Sequence, residues 1–213
     1  MKTLTLIFFA EFALLALSAP LAGLRRTITG KLAQALAAPL VLALVLIVLV
    51  RLGLWPSRTM AGTTITLILE VQALAAGFAL AVTGAAALAA RPWPSGGPLV
   101  VTVLALALLA SPFWGDVLLS LPLGRETVAG PVLEALVTPN PLFTVTDIMQ
   151  YDWMHSSVLY GRLSRIGEDF MPPSSGWLAL AAVYGGLGLL LALAAWLFGR
   201  GPKLAGRSTA GLL

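Results

Sequence analysis

Long apolar runs separated by short polar punctuation set the plan of this chain. Five such runs occur, over residues 4–24, 32–54, 64–90, 99–121 and 177–198. At about 1.5 Å rise per residue, a run of about twenty residues crosses a hydrocarbon core about 30 Å thick. The connections 25-RRTITGK-31, 55-WPSRTMAGT-63 and 91-RPWPSGGP-98 carry prolines, glycines and charges that interrupt helices. The pattern predicts an all-α polytopic membrane protein in a single membrane domain, 1–213, with about five transmembrane helices and a tail over 199–213.

The segment 122–176 breaks that pattern. It holds the only histidine and most of the acidic residues. Val128, Val132, Leu133, Leu136 and Val137 share a broad face, which predicts a helix over 126–137. Leu159, Leu163, Ile166 and Phe170 form a helical stripe over 156–170, with Arg162, Arg165, Glu168 and Asp169 opposite it. Neither helix is long enough to span. The expectation is an outer amphipathic helical cap between the fourth and fifth spans, with Trp153 and Tyr160 at the interface. Trp153, His155, Tyr160, Arg162 and Arg165 are its candidate partner contacts.

Composition reinforces the membrane reading, since 59% of residues are hydrophobic and only 10% charged. A globular chain carries roughly a quarter charged residues. The absence of cysteine excludes disulfides, thiolate metal sites, iron–sulfur clusters and c-type haem attachment. A single histidine excludes bis-histidine haem ligation within the chain. No cofactor and no metal are expected.

The net charge of +4 comes from basic residues scattered at the ends of the runs. That placement speaks for membrane orientation and against a nucleic-acid partner. Arg25, Arg26, Lys31, Arg91, Arg200, Lys203 and Arg207 fall on one side, with no acid among them. Lys2, Arg51, Arg58, Arg125, Arg162 and Arg165 fall on the other, diluted by Glu126, Glu134, Asp147, Asp152, Glu168 and Asp169. The short basic loops make the first side cytoplasmic, which puts the N-terminus outside and the C-terminus inside. Lys2 and 18-SAPLAG-23 give the first run some likeness to a signal peptide. Glu11 interrupts its apolar region, and we read it as a retained helix.

Ionisable groups inside apolar runs are costly and normally have partners. Glu11 and Glu70 lie well inside the first and third runs, and Asp116 lies near the outer end of the fourth. All three fall in the outer half of the expected bundle. They are candidates for a cation-binding or proton-relaying cluster, with Arg51 or Arg125 as counter-charges. The alternative is a structural role as hydrogen-bonded or ion-paired groups. His155 sits beside Asp152, Ser156 and Ser157, but sequence adjacency does not make a nucleophile–base arrangement. No enzyme activity is expected.

Small residues mark helix faces suited to close packing: Gly77 and Gly84 lie two turns apart, and Ala181 and Gly185 form a small-xxx-small pair.

The order of features resembles the permease subunits of ABC-2 type exporters. The residues that carry the likeness are 30-GKLAQAL-36 after a basic turn, the Pro-rich turn 91–98, and 140-NPL-142 ahead of a polar segment and a last helix beginning at Trp177. The resemblance covers the last five of that family's usual six spans, over residues 12–198. It implies a transport subunit working with a separate ATPase subunit. The chain departs from the family in lacking its first span, its elbow helix and a full coupling helix. Arg25, Arg26 and Lys31 are the candidate cytoplasmic contacts that remain. No Gly-x-x-x-x-Gly-Lys-Ser/Thr phosphate loop is present, so ATP hydrolysis is assigned to a partner.

Two functions follow. The first is transport as an ABC-2-like subunit in a bacterial cytoplasmic membrane. The second is a non-catalytic accessory subunit of a larger respiratory or photosynthetic complex. Other membrane subunits and lipids are partners in both.

Overall fold

A computed structural model of the chain describes residues 2–23, 27–54, 61–111, 138–149 and 176–199. Among these residues the regular structure is all helical, with turns between the helices. Six α-helices follow in order: α1 Lys2–Leu17, α2 Ile28–Arg51, α3 Ala61–Ala89, α4 Gly97–Leu109, α5 Pro141–Ile148 and α6 Trp177–Gly199. A short 3₁₀ turn, Ala19–Gly23, follows α1. Four stretches are long and apolar enough to cross a membrane: Leu4–Leu21, Ile28–Arg51, Thr64–Ala89 and Trp177–Gly199.

Local chemistry explains where these helices start and stop. The hydroxyl of Thr27 accepts a hydrogen bond from the Gly30 N–H at 3.2 Å and caps α2. At the other end, Gly53 adopts φ +66°. Its N–H donates to Val50 O, and the Leu54 N–H donates to Leu49 O, which satisfies two carbonyls that the helix end leaves open. Pro98 sits in the first turn of α4, where a missing N–H costs nothing.

The centre of the bundle is α3, which packs against α6, α2, α4 and α1. α2 buries the stripe Ala35, Pro39, Ala43, Leu46 and Val50. α6 buries Leu180, Tyr184, Gly188, Ala192 and Ala195. Outward positions such as Leu40, Leu44, Leu190 and Phe198 stay exposed and apolar, as a lipid-facing surface requires.

α3 and α6 run parallel at very short range. Gly77 lies against the Ala181 backbone, and seven residues later Gly84 lies against the Gly188 backbone. A Cβ on Gly77 would stand 2.6 Å from Ala181 O, and one on Gly84 would meet Gly188 O still more closely. Small residues therefore do what the sequence implied, letting two backbones approach. At the level of this seam an aromatic chain ties three helices together. The Phe12 and Phe78 ring centroids are 5.4 Å apart, and Phe78 meets Tyr184 edge-on at 5.6 Å.

Two features differ from the sequence expectation. The apolar run 99–121 does not continue as one helix: α4 stops at Leu109, having risen about 20 Å over its 13 residues. Pro112 follows in the sequence and has no N–H to donate to Leu108 O. Second, within the segment 122–176 the stretch from Asn140 to Met149 is largely buried. Of the eight residues of α5, only Asp147 is exposed. The expected helices over 126–137 and 156–170 lie outside the described residues.

Candidate functional site

Two polar centres lie inside this apolar bundle. The first is built around Asn140, which is fully buried. Its side-chain amide donates to Leu108 O at 2.9 Å, Leu109 O at 3.2 Å and Ser111 Oγ at 2.8 Å. Its Oδ1 accepts from the Leu142 N–H at 2.8 Å. One side chain thus satisfies two open C-terminal carbonyls of α4 and an open N–H at the start of α5. The donor that Pro112 cannot supply to Leu108 O comes from Asn140. The Tyr184 hydroxyl donates to Pro139 O and ties this junction to α6. Tyr184 is seven residues into α6, so the junction lies about 10 Å in from that end of the helix.

The second centre pairs α1 with α3. Glu11 is 6% exposed, and its Oε2 accepts from Gln72 Nε2 at 2.9 Å. Glu11 Oε1 and Gln72 Oε1 are buried with no hydrogen-bond partner. An acceptor left open in an apolar interior is costly, and a carboxylate more so.

Glu11 also lines a cavity of about 560 Å³ between α1 and α2, which rest on α3 more than on each other. The walls are mostly apolar, with Leu14 and Leu15 on one side and Ala35, Ala38 and Leu42 on the other. Ser18, Lys31, Gln34 and Thr83 add polarity toward one end. Pro39, buried inside α2, leaves Ala35 O without its usual donor four residues ahead.

The sequence candidates separate on this geometry. Glu11 is brought to Gln72 rather than to a cation or to Glu70. Glu70 is half-buried two residues before Gln72, and a two-residue step turns a helix surface away from the Gln72 face. Arg51, expected as a counter-charge, is exposed at the end of α2. Lys31 is half-buried at the polar end of the cavity, close enough to Arg91 for the two cations to repel. Arg91 in turn lies beside Gly199, so the starts of α2 and the ends of α3 and α6 share one basic end. Asp116, Trp153, His155, Tyr160, Arg162, Arg165, Arg25, Arg26 and Arg125 lie outside the described residues.

Gln72 and Tyr184 were not anticipated. An uncharged amide or phenol inside a long apolar run shifts hydropathy little, and only its position opposite Glu11 or Pro139 gives it weight. Among the described residues, no three His, Cys, Asp or Glu side chains gather as metal ligands would. Comparison of the chain with protein-family models, with curated proteins and with solved structures finds no match.

Proposed function

We propose that this chain is an integral membrane transport subunit of the ABC-2 permease type, acting with a separate ATPase subunit. In this reading the cavity between α1 and α2 is where the transported molecule meets the protein. The observation that carries it is the Glu11 carboxylate, buried at the cavity wall with one oxygen unpartnered. Intramembrane carboxylates retained in this way are typical of substrate and ion pathways. The end of α4 adds support, because helix-end carbonyls inside a membrane are tolerated where protein satisfies them, as Asn140 does for Leu108 O and Leu109 O. The basic end formed by Lys31 and Arg91 is cytoplasmic in this reading, in a bacterial cytoplasmic membrane with the N-terminus outside. Arg25, Arg26 and Lys31 contact the ATPase there.

A second reading, an accessory subunit of a larger respiratory or photosynthetic complex, is favoured by one observation. Ala182 and Gly186 are exposed on α6, and a Cβ on Gly186 would meet nothing within 4 Å. A small-xxx-small pair on an outward face suits a neighbouring helix.

Gentle purification followed by identification of the co-purifying chains separates the two. A stoichiometric subunit with a phosphate loop supports transport. Redox- or pigment-bearing chains without an ATPase would refute it in favour of the accessory role.

A further inference from the structure

The cavity between α1 and α2 has a polarity that specifies what it can hold. Helix α2 runs back along α1, so Lys31 lies near the Ser18 end and Leu42 near the Ile7 end. Charge occurs at two levels. Lys31 marks the basic end, and Glu11 lies seven residues from Ser18, about 10 Å deeper along α1.

Apart from Ser18, Gln34 and Thr83 the rest of the lining is hydrocarbon, and its lips at Leu14 and Ala38 are exposed on the outer surface of the bundle. At the Glu11 level every open position is an acceptor. Glu11 Oε1 has no donor, and Gln72 Oε1 behind it has none either. What the site is missing is a donor, and the group best matched to a carboxylate is a cationic one.

A bare metal ion is a poor fit, since hard cations need about six oxygen ligands and Glu11 is the one carboxylate among the residues that line this cavity. An anionic amphiphile would put its charge at Lys31 and lay its tail past Glu11, leaving Oε1 as unsatisfied as before. We propose that the cavity binds a single-chain organic cation, an amphiphilic amine. The Glu11 carboxyl group turns its buried Oε1 toward the cavity to accept the amine's N–H, and the apolar chain lies along Leu14, Ala38 and Leu42. The amine enters sideways between the α1 and α2 lips, because Lys31 and Arg91 repel a cation at the basic end. The proposal deepens the transport reading by naming its substrate class and rests on that reading for its physiological sense. Binding itself is measured without any transport.

The test uses the full chain in phosphatidylcholine nanodiscs, with radiolabelled octylamine as the probe and empty nanodiscs as the blank. Octylamine is expected to bind saturably at about one per chain in excess of simple lipid partitioning, with octanoate failing to compete. Glu11→Gln keeps a side chain that can hydrogen-bond Gln72 and is expected to weaken binding at least tenfold at an unchanged melting temperature. Ala38→Trp fills the cavity from an exposed lip and is expected to abolish binding while Glu11 remains. Equal binding by Glu11→Gln overturns the proposal, as does retention no greater than that of empty nanodiscs. Competition by octanoate as strong as by octylamine overturns it too and moves the anchor to Lys31. Should Glu11→Gln fail to fold, Ala38→Trp decides alone, since wild-type binding by that variant refutes the site. Glu11-dependent binding by a chain that co-purifies with no ATPase would sink the transport reading and leave the site standing. An ATPase partner without Glu11-dependent binding would do the reverse.

Discussion

The Asn140 side chain has two N–H donors and one carbonyl to place inside an apolar bundle, and the junction of α4 with α5 uses all of them. That division of labour separates two substitutions of nearly equal size. Asn140→Ala removes a helix cap and leaves carbonyls open, at a cost of about 1–3 kcal/mol. Asn140→Asp keeps the acceptor for the Leu142 N–H but turns an oxygen, in place of an N–H pair, toward Leu108 O and Leu109 O. It is expected to destabilise more than Asn140→Ala, read as the lower midpoint in thermal unfolding followed by helical circular dichroism. The reverse order would remove Asn140 from its bridging role. At the Glu11–Gln72 contact, Gln72→Leu leaves both carboxylate oxygens without a donor and is expected to cost about 1–2 kcal/mol, in the range of interhelical hydrogen bonds in membranes. Such residues differ in how visibly they announce themselves. Glu11 stands out in a sequence because a charge inside an apolar run is expensive. Gln72 and Asn140 do not, since an amide is tolerated in many places and its partner here is 61 or about 30 residues away.

At the scale of elements, the parallel pair α3 and α6 depends on backbone contact at Gly77 and Gly84. A Cβ at Gly84 would strike the Gly188 carbonyl, which is backbone and cannot swing aside. Gly185 differs, since the nearest atom to its Cβ is Gly77 Cα at 4.0 Å, an ordinary contact. Gly84→Ala is therefore expected to lower the melting temperature clearly, by a cost of about 1–3 kcal/mol from forced backbone shifts. Gly185→Ala should leave it nearly unchanged. Equal effects would mean that the helices are not held at this distance. Apolar length and small-residue spacing made α1, α2, α3 and α6 legible in the sequence, along with the glycines between α3 and α6. The fate of the run 99–121 was not legible in that way. Hydropathy is blind to a break whose open carbonyls are satisfied from Asn140, and Pro112 alone signals a kink as readily as a stop. The burial of α5 was hidden for the same reason. Its neighbours are polar and turn-rich, and its burial comes from packing on α1, α3 and α6, which no local pattern announces.

For the whole molecule, surface and interior are divided unevenly among the described helices. α3 is enclosed on several sides, while α2 and α6 each leave a broad apolar face outward. Most of that outer face is Leu and Val, which lipid covers as well as protein does. Small exposed residues, Ala182 and Gly186 on α6 among them, differ, because a notch between larger side chains packs poorly against mobile acyl chains and well against a helix. A membrane protein gains little from burying Leu against Leu instead of lipid, so association has to come from such close approach. Gly186→Val meets open space within the chain and should leave the melting temperature of the isolated chain unchanged. If a partner subunit docks there, the same substitution releases it. The expected result is loss of the co-purifying chain at unaltered fold stability, read by native mass spectrometry beside a thermal melt. An intact complex in Gly186→Val would assign that face of α6 to lipid, and the partner would then have to engage the protein through α2 or the basic end.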